Sequence, residues 1–175
     1  MLLIDIIESL NYETSITWND DVGTFIIGDQ KFTVTVRKAT TQEQRTFVPF
    51  FETQQPIVGN VDFSVHLSNG KTTQDLTSTS GNTAMKVFSV VAQAVKEQIS
   101  KHNFDVVLCV AKRISSPTKY QNRVDAYETI VDRAARKSGM LSTKIFSTNN
   151  ETIYVVFKHE FADNINKVKQ HLSKL

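Results

Sequence analysis

The spacing of hydrophobic residues changes several times along the chain, and each change marks a predicted element. Near the N-terminus the apolar residues follow a helical spacing, which predicts a short helix over residues 1–12. The alternative is a strand, because isoleucine is β-branched. Further along, Phe32, Val34 and Val36 alternate with threonines, as in a half-buried antiparallel strand. Tight turns separate three runs of strand formers, so a β-meander is predicted. The runs cover residues 15–18, 24–27 and 31–37.

Residues 39–60 form a long connection that interrupts this regular pattern and carries three phenylalanines. Phe47, Phe50 and Phe51 surround Pro49. Long connections are often functional and exposed aromatic side chains mark partner sites, so we predict these phenylalanines as partner-binding residues. The alternative is that they fold down and cap the hydrophobic core.

A β-α-β unit is predicted in the middle of the chain. Residues 61–67 alternate between apolar and polar side chains, which indicates another half-buried strand. An amphipathic helix follows over residues 84–101, with Asn82 or Thr83 as its N-cap. Residues 104–111 then form a short apolar run, as expected of a central strand that is buried on both faces. These three elements outline a crossover between parallel strands.

A second helix, a hairpin and a terminal helix complete the predicted order. The second helix covers residues 121–137, and Gly139 is placed to end it in the left-handed conformation. Strands at residues 143–147 and 152–158 flank a turn signal, and a lysine-rich helix covers residues 161–175.

The order β-β-β-β-α-β-α-β-β-α predicts an α/β (α+β) fold built on a mixed sheet. We expect an N-terminal antiparallel meander, a central buried strand, helices on both faces, and a C-terminal β-hairpin and helix.

The composition fits a single globular domain over residues 1–175, with 40% hydrophobic and 22% charged residues. The one cysteine, Cys109, excludes an intramolecular disulfide and indicates a reducing compartment. No apolar stretch approaches the roughly 20 residues of a membrane span. Asp5 and Glu8 interrupt the N-terminus where a signal peptide needs basic residues. We therefore expect a cytoplasmic protein with no membrane partner.

Charge is distributed unevenly, although the net charge is only +2. Residues 1–30 hold six acidic residues and no lysine or arginine. The more basic remainder predicts either an anion-binding surface or an ordinary solvated exterior, and both stay open. Nucleic-acid binding has no support from any aromatic-basic motif. The candidate basic contact for a partner consists of Lys112, Arg113, Lys119 and Arg123.

The histidines predict no metal site, because they lie in four different predicted elements without the spacing of metal ligands. No G-x-S-x-G, Walker A or G-x-G-x-x-G motif occurs. The segment STSGNTA remains, which places a glycine and several hydroxyls at a predicted helix start. Free N–H groups and the helix dipole make such a position favourable for a phosphate. The alternative is that these residues only cap the helix.

From about residue 24 to residue 159, the order of elements resembles the GNAT acyltransferase superfamily. That family holds the pyrophosphate of acetyl-CoA in a Q/R-x-x-G-x-G/A turn at the start of a helix. The matching segment is 78–83, where Gly81 keeps the first glycine while Ser78 and Thr83 depart from the pattern. The resemblance implies acetyl-CoA as the cofactor. The implied cofactor-binding residues are Ser80, Gly81, Asn82 and Thr83.

The second predicted helix resembles the family's tyrosine-bearing helix. The matching residues are Asn122, Tyr127, Gly139 and Met140, with a longer interval before the glycine and methionine in place of an aromatic residue. The resemblance implies that Tyr127 is the general acid that protonates the leaving thiolate. The alternative is a core aromatic residue that packs on its own helix.

Asp62 and His66 are the candidate general bases, because they lie on the polar face of the strand at residues 61–67. The alternative for both is an ordinary solvent-facing strand residue.

Two functions follow. The first is a binding or virion-associated protein in the host cytoplasm or virion, since the chain resembles uncharacterised bacteriophage proteins with a GNAT-like core. The second is an acyl-CoA-dependent N-acyltransferase acting on a cationic amine or a protein. The incomplete turn favours the first, with a protein partner, and a homo-oligomer stays open. An enzyme needs a gap between the strand before the first long helix and the central strand that is deep enough for a pantetheine arm, whereas in a binding protein side chains close that gap.

Overall fold

The computed structural model describes residues 12–45, 47–51, 55–73, 81–112, 117–147 and 151–174. Within these ranges the chain forms eight strands and four α-helices. The strands are β1 (Thr17–Asn19), β2 (Val22–Ile27), β3 (Gln30–Lys38), β4 (Val58–His66), β5 (Thr72–Thr73), β6 (Val106–Lys112), β7 (Leu141–Ser147) and β8 (Glu151–Phe157). The helices are α1 (Thr41–Gln44), α2 (Gly81–His102), α3 (Pro117–Ser138) and α4 (Ala162–Leu172).

All strands belong to one mixed sheet with the order β1-β2-β3-β4-β6-β8-β7, and β5 pairs with β4. Every neighbouring pair is antiparallel except β4 and β6, which are parallel. Helix α2 connects these two strands, as a parallel pair requires. The predicted α+β class with a mixed sheet is confirmed.

Helices cover both faces of the sheet. On one face, α2 and α3 bury the alternating apolar side chains of β3, β4 and β6, including Val34, Phe63 and Cys109. On the other face, α4 packs Ile165 and Val168 against the C-terminal part of the sheet. No helix among the described residues is both long enough and apolar enough to cross a membrane.

The long connection is more ordered than its sequence predicts. It contains α1 and a short 3-10 helix at Val48–Phe50, and β4 already begins at Val58. Phe47 and Phe51 are only 3% and 1% exposed, which corrects the prediction that they face a partner. Phe51 instead packs against Phe161 with ring centroids 5.6 Å apart. These two side chains cap the core, as the alternative predicted. Phe50 is half-buried.

Several element boundaries also differ from the prediction. Helix α2 begins at Gly81 and α3 at Pro117, in both cases before the predicted first residue. Proline suits the first helical position, since its fixed φ is preorganised for a helix and no N–H is needed there. The C-terminal helix begins at Ala162 and ends at Leu172, after a 3-10 turn. The helix predicted over residues 1–12 lies outside the described residues, apart from residue 12.

Candidate functional site

Strands β4 and β6 part within the sheet. Their parallel pairing begins at Val58↔Val106 and ends at Val61↔Cys109. Beyond this last pair β4 continues to His66, and β6 also continues to the end of its range. The short strand β5 pairs with the outer part of β4 on the side that β6 has left, because β3 occupies the other side. The ladder between β4 and β6 therefore stops after Val61↔Cys109, and we call the point where the two strands part the opening.

Tyr127 reaches this opening from the helical side. It lies on the apolar stripe of α3 and is 0% exposed, and its ring packs on Phe63 with centroids 5.4 Å apart. The Tyr127 hydroxyl donates a hydrogen bond to Asp62 Oδ1 over 3.5 Å. Adjacent strand residues point to opposite faces, so Asp62 and Phe63 lie on different sides of the sheet. A side chain that contacts both residues must therefore pass through the sheet at a point where neighbouring strands are not paired.

Asp62 is exposed on the face opposite α2 and α3. Its Oδ1 atom also accepts a hydrogen bond from the N–H of Phe63 over 2.9 Å. This N–H is bonded to a side-chain oxygen and not to a neighbouring strand, as expected of a residue just beyond the end of the ladder between β4 and β6. An ionised carboxylate only accepts hydrogen bonds, so Asp62 beside a phenol provides a proton acceptor next to a proton donor.

His66 lies further along the same strand face and takes part in a different set of contacts. Its Nε2 atom is 3.3 Å from Thr33 Oγ1, and Thr33 Oγ1 is 2.8 Å from Ser64 Oγ. Of the three predicted catalytic residues, the structure brings Tyr127 and Asp62 together and joins His66 to a pair of hydroxyls instead.

The predicted cofactor turn is described only in part. Ser80 lies outside the described residues, and the side chains of Gly81 and Asn82 are not described. Thr83 is half-buried. Helix α2 begins at Gly81, so its first N–H groups lack intrahelical partners. β4 and β6 part towards their carboxyl ends. Helix α2 begins at this same edge of the sheet and leads back to the start of β6.

A charged cluster that was not predicted from the sequence lies beside this site. Arg37 donates to both carboxylate oxygens of Glu43 over 2.9 and 2.8 Å. Glu43 also accepts from Asn60 Nδ2 and from the N–H of Thr40, each over 2.7 Å. The bond from Arg37 lowers the pKa of Glu43 to about 2, and the bond to Glu43 raises the pKa of Arg37. The sequence signal was the capping box from Thr40 to Glu43.

The basic partner candidates remain predictions. Arg113 lies outside the described residues, and the side chains of Lys112 and Arg123 are not described. A surface pocket of about 320 Å³ lies between α1 and the 3-10 helix that follows it. It is lined by Thr41, Gln44, Arg45, Val48 and Pro49.

In the described part of the chain, no group of three or more histidine, cysteine, aspartate or glutamate side chains is placed to hold a metal ion. Comparison of the chain with protein-family models, with curated proteins and with solved structures gives no match.

Proposed function

We propose that this protein is an acyl-CoA-dependent N-acyltransferase of the GNAT type. The observation that carries the proposal is the contact between Tyr127 and Asp62 at the opening between β4 and β6. We expect an enzyme of this type to hold the acyl carrier between these two strands, whose ladder ends at Val61↔Cys109. The start of α2 supports the proposal as well, because the positive end of a helix dipole suits a pyrophosphate.

Each residue has a defined role in this proposal. The amine nitrogen attacks the thioester carbonyl carbon, so a C–N bond forms and the C–S bond breaks. Asp62 accepts the proton that the amine loses, and Tyr127 donates its phenolic proton to the departing thiolate sulfur. The hydrogen bond between the two side chains then allows the proton on Asp62 to return to Tyr127. The backbone N–H groups of Gly81, Asn82 and Thr83 would hold the phosphates of the acyl carrier.

The test pairs two buried tyrosines. Tyr154 matches Tyr127 because it is 2% exposed and donates to the carbonyl of Val124 over 3.3 Å, from a strand that β6 separates from β4. We expect Tyr127→Phe to lower kcat by about 10²–10⁴-fold, the usual contribution of a general acid, while Tyr154→Phe retains it. Thiol release from acetyl-CoA with cadaverine and a lysine peptide measures kcat, and calorimetry measures acetyl-CoA binding. Absence of saturable binding at millimolar acetyl-CoA, or full activity of Tyr127→Phe, would refute the proposal.

A binding protein, in the host cytoplasm or virion if the chain is phage-encoded, is the second candidate. Ser78 and Thr83 depart from the GNAT turn, and the pocket beside Arg45 and Val48 offers a contact surface. Under this proposal acetyl-CoA does not bind. Sedimentation velocity of the wild-type chain and of Val48→Asp tests whether a second copy is the partner, since self-association through the pocket would be weakened only in the variant.

A further inference from the structure

Strands β2, β3 and β4 turn one face to α2 and expose the other. Two rows of side chains cross the exposed side, and we call this surface the open face. In the first row Val22 lies opposite Thr35, which lies opposite Asp62. In the second row Thr24 lies opposite Thr33, which lies opposite Ser64. All six side chains are exposed or half-buried, whereas the residues that alternate with Thr33 and Thr35 are buried under α2.

The open face carries exposed apolar side chains at its outer edge. Ile26 is 58% exposed and Val22 is 40% exposed. Both lie on β2 and point to the same side, because they are separated by an even number of residues. They are about 13 Å apart at roughly 3.3 Å per residue, with Thr24 between them, so they offer two separate apolar contacts to another molecule.

The open face is continuous with the proposed catalytic pair. The first row ends at Asp62, which contacts Tyr127. The second row, where the hydroxyls of Thr33 and Ser64 are 2.8 Å apart, lies between the first row and Ile26, which is opposite Lys31. These hydroxyls can both donate and accept hydrogen bonds.

The shape of this surface indicates the class of acceptor. Small-molecule sites are concave and bury most of their ligand, whereas three adjacent strands present a broad sheet surface. A molecule that contacts both Ile26 and Asp62 must cross β2, β3 and β4 and also extend four residues along them, a span of about 16 Å at roughly 4.8 Å per strand and 3.3 Å per residue. A polypeptide segment with apolar residues beside its lysine has this extent, and the carboxylate of Asp62 suits its cationic amine.

We infer that the open face binds a polypeptide acceptor, placing a lysine amine at Asp62 and two neighbouring apolar side chains against Val22 and Ile26 respectively. This inference rests on the proposed acyltransferase function. The main-chain amides of the bound segment hydrogen-bond to the hydroxyls of the second row.

The experiment compares two acceptors with the same reacting group. Cadaverine offers a primary amine without a peptide chain, and a dodecapeptide library with one central lysine and blocked ends offers the amine within a chain. The readout is the ratio of kcat/KM for the library to kcat/KM for cadaverine. We expect the wild-type ratio to exceed 1 and to fall about ten-fold in Ile26→Asp, because partial loss of one buried isoleucine contact has about this effect.

The matched control is Ile57→Asp. Ile57 is also exposed, at 38%, and does not belong to the open face. We expect its ratio to stay within about two-fold of the wild-type value, and thermal melting checks that both variants fold. An unchanged ratio in Ile26→Asp, or a wild-type preference for cadaverine, overturns the inference while the acyltransferase proposal stands. If neither acceptor is acylated, the proposed function fails and the inference fails with it.

Discussion

Substitution of Gly59 by alanine tests how closely β4 packs against the segment that leads into β6. A Cβ atom at Gly59 would lie 2.9 Å from Cδ2 of Phe104 and 3.0 Å from both Cε2 and Cγ. These distances are well below normal carbon contacts, and Phe104 is 1% exposed, so its ring has no free space to enter. The ring or the strand must therefore shift.

Two opposing terms set the size of the effect. Overpacking a core by one carbon costs about 1–3 kcal/mol. Replacing glycine by alanine in a strand restricts the unfolded chain and returns roughly 0.5–1 kcal/mol. The first term is larger, so we expect Gly59→Ala to lower the free energy of unfolding by about 1–2 kcal/mol. At roughly 2–4 °C per kcal/mol for a chain of this size, Tm falls by about 2–8 °C.

Urea and thermal denaturation followed by circular dichroism measure this change, and a double-mutant cycle with Phe104→Leu tests its cause. The smaller side chain relieves the contact, so Gly59→Ala should cost much less in the Phe104→Leu background. An alanine variant as stable as the wild type, or additive effects in the cycle, would show that Phe104 does not limit this position.

Three further predictions concern the site and its neighbours. Arg37 lowers the pKa of Glu43 from 4.5 to about 2, so this pair stabilises the fold above pH 4.5 and its contribution is lost as the pH falls towards 2. Glu43→Gln should remove this pH dependence of the free energy of unfolding, which is on the order of 1 kcal/mol for a partly exposed pair. Urea titrations from pH 6 to 2 measure it. Asp62→Asn should lower kcat at least about ten-fold with unchanged acetyl-CoA affinity, whereas His66→Gln retains kcat; steady-state kinetics with equal effects in both variants would contradict the assigned roles. Gly81→Trp should abolish acetyl-CoA binding in calorimetry with only a modest loss of Tm, and retained binding would place the phosphates elsewhere.

The order of the elements was predictable because each has its own hydrophobic period. The alternation around Val34 and the helical stripe of α2 depend only on local spacing, so they identify β3 and the long helix. The start of α3 was not predictable in this way, since its first turns are polar and Pro117 alone marks its beginning. The two-residue strand β5 is too short to show any period.

The candidate site was predictable in its residues but not in its arrangement. Tyr127 and Asp62 are 65 positions apart, and their contact depends on where β4 and β6 part. No local pattern specifies that point. The same reason applies to Phe47 and Phe51, whose aromatic character fits both an exposed contact and a core position until the packing of the connection against α4 is known.

The parallel ladder of four residue pairs between β4 and β6 has a consequence for how the protein folds. On one side of it, β1 to β4 pair with their sequence neighbours, and on the other side β6, β8 and β7 form a second antiparallel group. The first group can assemble through contacts between sequence neighbours, whereas β6 joins β8 across α3 and the ladder joins the two groups across α2. Separation of the two strand groups breaks few strand hydrogen bonds. Amide hydrogen exchange from Val58 to Val61 should therefore report this separation at a lower free energy than exchange from within the antiparallel core.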